Sequence, residues 1–174
     1  MAENLDFAWS GLPVGSAGNP ATPAAWYYDD NQSTWGWDGR KCGLLYNQYA
    51  VQELESNKAT LIPGWHVPTR AEYSALKTAV GSSISSKDLK SLDKSWFSNW
   101  YGTDKYGFSM MPCGRRNQDG GALYYAAAVS GWLWTPDARN GGSYYTITFG
   151  NNDEYSTDYY DGPSAGHSLR LVKD

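Results

Sequence analysis

Residues 114–172 contain no lysine and no methionine, with one glutamate (Glu154) and one glutamine (Gln118) between them, whereas residues 1–113 carry seventeen residues of those four kinds. The whole chain has two cysteines and two histidines. Cys42, Cys113, His66 and His167 show no zinc-ligand spacing, so neither a metal nor a cofactor is expected. No apolar run approaches the ~20 residues that cross a bilayer as a helix. Basic residues are in deficit: 14 Lys and Arg stand against 18 Asp and Glu, for a net charge of −4. That balance argues against a nucleic-acid partner, because neutralising phosphates requires a basic face. The N-terminus, Met1-Ala2-Glu3-Asn4-Leu5, has neither the basic n-region nor the apolar h-region of a signal peptide. Ile, Leu and Val are sparse, so aromatics must supply much of the buried area.

What replaces the missing residues is tyrosine, aspartate, asparagine, serine, threonine, arginine and glycine, including seven of the chain's fourteen tyrosines. Binding surfaces favour this vocabulary, since Tyr gives large contact area at low entropic cost and Ser, Gly and Asn adapt their hydrogen bonding. A β-rich segment would also be depleted in Lys and Glu and enriched in Tyr and Thr. Composition leaves both readings open. At 174 residues the chain is expected to be one domain. The two cysteines are compatible with a disulfide of a secreted domain or with two small buried hydrophobes.

Residues 8–40, rich in Gly, Pro and aromatics, read as loops and short strands. Tyr46–Glu55 has apolar positions at 46, 49, 50 and 54, the pattern of a short amphipathic helix. Thr69 and Glu72 form a capping box, followed by Tyr73, Leu76 and Val80 on one face and Gly81 as the stop. Ser86–Leu92 suggests one further helical turn. Beyond residue 107 no helical period is visible. Tyr145, Ile147 and Phe149 alternate with Thr146 and Thr148, which predicts a strand with the first three buried and the threonines exposed. Gly150-Asn151-Asn152-Asp153 reads as a turn, and Ser168–Val172 as a last strand with Leu169 and Leu171 inward. Two early helices followed by short strands make an α+β class.

Several phrases then align in order: Met1–Leu5, Gly43-Leu44-Leu45-Tyr46 with Ala50, Gly64–Thr69 with Glu72, Leu89-Lys90-Ser91, Tyr106–Ser109 with Pro112, Gly114-Arg115-Arg116, Trp132, and Ser168–Asp174. Together they resemble the Fibrobacter succinogenes major paralogous domain along essentially the whole chain. The resemblance implies a C-type lectin-like fold of the formylglycine-generating-enzyme branch, with two short helices on small twisted antiparallel sheets. It also implies kinship with variable proteins of diversity-generating retroelements. In those, adenine-directed mutagenesis rewrites mostly Asn codons, which can yield Tyr, Asp, Ser, Thr, Gly, Ala or Arg but never Lys, Glu, Gln, Met or Trp. The residues missing from 114–172 are nearly that forbidden set. Gln118, Glu154, Trp132 and Trp134 would be positions outside mutagenesis. Cys42 and Cys113 both replace the family's usual residues, and this paired replacement suggests a disulfide between them.

On this basis residues 1–113 are expected to be scaffold, helped by Trp65, Trp96, Trp132 and the capped helix, and residues 114–172 the variable ligand-binding region. The candidate contact residues are Arg116, Asn117, Tyr124, Tyr125, Asp137, Arg139, Tyr144, Thr146, Thr148, Asn151, Tyr155, Tyr159, Tyr160 and Asp161, with Tyr155, Tyr159, Tyr160 and Asp161 forming one patch. The expected partner is a macromolecule on a cell or virus surface, protein ahead of glycan, with the domain lying outside the cell or on a virion and not inserting in a membrane. No catalysis is expected. A formylglycine-generating type of enzyme needs reactive paired thiols, and the two cysteines lie in core phrases. The carboxylates Asp29-Asp30 and Asp158 with Asp161 read as solvated surface. A calcium-dependent lectin needs converging oxygen ligands, and Trp134–Asp137 and Asn151–Asp153 only partly echo its motifs. His66 is expected to be structural, while His167 could serve surface or frame.

Overall fold

The computed structural model describes residues 3–15, 20–28, 36–37, 40–81, 86–92, 100–118, 124–127, 129–151 and 155–174, with the backbone alone at 36–37, 40–41 and 124–127. Trp96, Asp29, Asp30, Asn152 and Asp153 lie outside the described residues. In chain order the elements are β1 (Ala25–Trp26), β2 (Gly36–Trp37), β3 (Arg40–Lys41), β4 (Leu45–Tyr46), α1 (Gln48–Ser56), α2 (Lys58–Leu61), β5 (Trp65–His66), α3 (Arg70–Ala79), a 3-10 turn at Ser86–Leu89, β6 (Cys113–Arg116), β7 (Tyr124–Ala127), β8 (Ser130–Arg139), β9 (Ser143–Gly150), β10 (Tyr155–Asp161), β11 (His167–Ser168) and β12 (Val172–Lys173). Short helices fall between the early strands β1 and β4 and the later strands β6–β11 of one mixed sheet, an arrangement consistent with the expected α+β class.

Both predicted helices form where their caps dictate. Asn47 precedes α1, and its Oδ1 accepts the Ala50 and Ala24 amides at 2.9 and 3.0 Å while its Nδ2 donates to Thr22 O. Thr69 begins α3 with the full reciprocal box: Thr69 Oγ1 accepts from Glu72 N, and Glu72 Oε2 accepts from Thr69 N at 2.8 Å. Asp137 adds a second acceptor at this end, taking the Arg70 amide at 2.6 Å. The sequence reading missed α2, a single turn with no buried residue.

The sheet is organised around β8. Antiparallel β9 pairs with it through the Arg139↔Ser143 hairpin end, and β10 pairs with β9. Parallel contacts join β8 to β6 at Gly131 and to β11 at Leu133. A Cβ at Gly131 would come within 2.3 Å of Met110 Cε and 2.7 Å of Met111 O, so only glycine lets the chains approach here. Consecutive β8 residues enter different cores. Trp134 joins Tyr46, Val51, Leu54 and Leu169 on the α1 side, and Leu133 joins Tyr73, Trp100, Ile147 and Phe149 on the α3 side. Trp134 Nε1 donates to Tyr46 O at 2.7 Å. Where the β8–β9 register shifts between Trp134 and Ala138, Gln48 and Gln52 of α1 donate to the Thr135 and Pro136 carbonyls, both at 3.1 Å.

This two-sided burial corrects the expected exposure of β9. Thr146 (0 % exposed) and Thr148 (4 %) are buried opposite Trp134 and Trp132, because layers cover both faces of the sheet. The same cause reshapes the chain end. Ser168–Val172 is not one strand with alternating faces: β11 and β12 are separated by residues 169–171, and Ser168 and Arg170 are as buried as Leu169 and Leu171. Arg170 is a clasp. Its Nε donates to Asn4 Oδ1 at 2.9 Å, its Nη2 to Ser109 O at 3.0 Å, and its Nη1 to Phe108 O. Beside it Leu5 N donates to Leu169 O at 2.8 Å, and β12 pairs with β5, so both ends of the described chain join one frame. Cys42 and Cys113 form a disulfide with Cα atoms 5.6 Å apart, both buried, as the paired replacement suggested.

Candidate functional site

The β8–β9 hairpin turns through Asn140-Gly141-Gly142, where Gly141 and Gly142 take φ of +87° and +78°, a conformation L side chains rarely adopt. This turn, Gln118 and the end of β10 border an open cleft of about 640 Å³, whose side chains come from Gln118, Arg139, Asn140, Ser143, Tyr160 and Asp161. Gln118 Oε1 lies so close to Gly162 that a Cβ there would meet it at 1.8 Å, which fixes one wall. On the other wall the Arg139 guanidinium lies over the Tyr160 ring, 3.7 Å from its centroid. Tyr160 is 51 % exposed.

A partly enclosed layer, with His167 fully buried in it, lies behind the cleft. Asp161 Oδ2 pairs with Arg115 Nη1 and sits 3.3 Å from His167 Nε2, and Asp161 Oδ1 accepts Gly162 N at 2.9 Å. Burial opposes ionisation of Asp161, but His167 and Arg115 outweigh it and hold the carboxyl below its ordinary value. Burial also depresses the fully enclosed His167, against the pull of Asp161, so the imidazole is neutral at neutral pH. His167 stacks on Trp132 (5.5 Å between centroids) and meets the Trp134 ring edge-on at 4.3 Å. Arg115 covers Trp132 at 4.7 Å, and Tyr159 packs against that indole at 5.7 Å. His167 therefore belongs to the frame.

The expected contact residues do not converge on one patch. Tyr159 and Tyr160 are consecutive strand positions opposite Thr146 and Tyr145, so they project to opposite faces of β10. Tyr155, expected in a surface loop, is a buried strand residue (7 % exposed) whose hydroxyl donates to Tyr73 O at 2.7 Å. Arg116 is also buried: its guanidinium lies 4.1 Å over the Trp26 ring and its backbone exchanges hydrogen bonds with Gly166. Tyr144 is half-buried against the α1-side core. Asp137 is committed to the start of α3.

Asn151 closes the far end of β8–β9 by donating its amide to Val129 O, roughly 30 Å from the hairpin turn at strand rise. Asn117 is half-buried beside Gln118. The side chains of Tyr124 and Tyr125 lie outside the described residues, although β7 pairs with β6. Arg139 and Tyr160 remain together at the cleft, and Asp161 borders it from the strand face it shares with Tyr159. Gln118, Asn140 and Ser143 were missed, although the Asn-Gly-Gly turn signal marked the position of Asn140 and Ser143.

Of the two carboxylates expected on solvated surface, Asp158 is exposed and pairs with Arg70, whereas Asp161 is largely enclosed and pairs with Arg115. His66 is satisfied on both nitrogens, with Nδ1 2.5 Å from Asp174 Oδ1 and Nε2 2.9 Å from Glu72 Oε1, and these two carboxylates raise its pKa. Among the described residues no group of three or more His, Cys, Asp or Glu could hold a metal ion, and no helix is long and apolar enough to cross a membrane.

A family model for the Fibrobacter succinogenes major domain matches residues 1–173, and the chain belongs to that family. No curated protein and no solved structure matches it.

Proposed function

We propose that this member of the Fibrobacter succinogenes major domain family is a recognition domain without catalysis, of C-type lectin-like fold, that displays a diversified surface as the variable proteins of diversity-generating retroelements do. Its partner is a macromolecule on a cell or virus surface, protein ahead of glycan, and the domain works outside the cell or on a virion. One observation carries the reading. Of the described residues that border the cleft, only Gln118 belongs to the set that rewriting of Asn codons cannot produce, while Trp132 and Trp134 from that set stand in the layer behind it. Residues free to vary thus line the opening, and residues that cannot arise by that route build its support. Exposed Tyr and Arg are the residue types that dominate protein-binding hot spots. The Cys42–Cys113 disulfide fits an oxidising compartment.

The locus tests the proposal. Sequenced across isolates, substitutions should concentrate at Arg139, Asn140, Ser143, Tyr159 and Tyr160 and spare Gln118, Trp132 and Trp134. A near-identical template repeat differing at adenines should lie beside a reverse-transcriptase gene. Substitutions spread evenly over the domain, with no such repeat, would remove diversification from the reading.

A further inference from the structure

We infer that the cleft at the β8–β9 turn is a carboxylate-binding site centred on Arg139, and that it takes an Asp or Glu side chain of a protein partner. The comparison that supports this lies within the molecule. Three arginines that face β8–β10 place the guanidinium carbon over an aromatic ring: Arg70 over Tyr145 at 4.3 Å, Arg115 over Trp132 at 4.7 Å and Arg139 over Tyr160 at 3.7 Å. In the first two the guanidinium also holds an aspartate, Asp158 for Arg70 and Asp161 for Arg115. Arg139 makes the same stack and has no carboxylate among the described residues. Stacking occupies the face of a guanidinium and leaves its in-plane N–H fork for a planar acceptor, the geometry in which Arg binds carboxylates bidentately.

Charge in the cleft agrees. Among the described residues that border it the one acid, Asp161, is neutralised from behind by Arg115, which leaves Arg139 as their uncompensated charge in a chain whose net charge is −4. Gln118, Asn140 and Ser143 supply neutral donors around it. The volume of about 640 Å³ admits a side chain with its flanking backbone. Contact with Tyr160 modestly favours one placement of the exposed Arg139 side chain, which to that extent reduces the entropy lost on binding.

The identity of the partner class rests on the recognition reading above, but the carboxylate site can be read without any partner. The ¹⁵N-labelled chain is titrated with N-acetyl-glutamate methylamide, with the glutamine analogue, and with methyl glucuronide, and amide and Arg Nε–H shifts are followed by NMR. Saturable shifts at Arg139, Gly141, Gly142 and Ser143 are expected with the glutamate probe, weaker ones with the glucuronide, which carries the same carboxylate, and none with the glutamine analogue. Arg139→Gln should weaken them about tenfold or more, the loss expected for one charge-assisted bidentate pair, with the remaining spectrum unchanged as the check on folding. Equal shifts from the glutamine analogue, or no shifts at all, overturn the carboxylate site and leave the recognition surface standing. Tighter binding of the glucuronide than of the glutamate probe overturns the protein side chain as occupant. Evenly spread substitutions at the locus, by contrast, would remove the diversified reading while leaving a positive titration intact.

Discussion

At the scale of single residues, the two histidines pull stability in opposite directions with pH. Burial holds His167 below its ordinary 6.5, so as pH falls below 6.5 the unfolded chain takes up a proton that the folded chain refuses, and stability falls. The pKa of His66 is raised above 6.5 by Asp174 and then Glu72, so its contribution is complete below 6.5 and is lost as pH rises through the folded value. Asp161 and Glu72 are both lowered, from 3.8 and 4.5, and their contributions fade only at still lower pH. Urea unfolding should therefore show wild type losing stability relative to His167→Phe on acidification below 6.5. It should also show the advantage of wild type over His66→Gln shrinking above that value. Parallel curves for wild type and His167→Phe would mean that the folded imidazole takes up its proton as readily as the unfolded one, so that burial does not lower its pKa. At this scale Tyr155 also stops being a probe of binding. Truncating a tyrosine this buried costs about 3–5 kcal/mol, so only Tyr159 and Tyr160 can be altered without touching the core.

At the scale of elements, α3 is held at its start by two devices of different legibility. Thr69 with Glu72 could be read from four adjacent residues, whereas Asp137 reaches the Arg70 amide from 67 positions away. Asp137→Ala removes a charged acceptor at a helix N-terminus and should cost about 1–2 kcal/mol in urea unfolding. Asp158→Ala removes only an exposed ion pair with Arg70 and should cost about 0.5 kcal/mol or less. Equal losses would show that Asp137 adds nothing beyond a surface charge. The contrast explains what else was legible. Caps and periodicity are local, so α1, α3 and β9 stand near their expected positions. Whether a strand has a solvent face depends on which distant layers cover it. Alternation alone therefore placed Thr146 and Thr148 outside, when Trp132, Trp134 and the α1-side core enclose that face. The same blindness made Arg116 a contact residue, hid Arg115 as support behind the cleft and left His167 open between surface and frame.

At the scale of the whole molecule, the disulfide and the Arg170 clasp tie the N-terminal frame to the tyrosine-rich third. Cys42 stands three residues before β4, and Cys113 opens β6, 71 positions later. A thiol titration of the denatured, unreduced chain should find no free thiols, and Cys42→Ala with Cys113→Ala should lower stability by about 2–4 kcal/mol. Two titratable thiols in material that folds with unchanged stability would dismiss the bond. The sequence marked this pair only through its resemblance to a family in which both positions carry other residues, since a contact across seventy residues has no local pattern.

The opposed projection of Tyr159 and Tyr160 has a consequence for anyone building libraries on this frame. Two neighbouring codons address two separate landscapes, one governed by Arg139 and the hairpin turn, the other by Trp132 and Arg115. Randomising both at once and selecting against a single flat target would reward one column of the library and carry the other as passenger diversity. Randomising them in turn would let one strand be bred into a two-sided adaptor that grips a different molecule with each face.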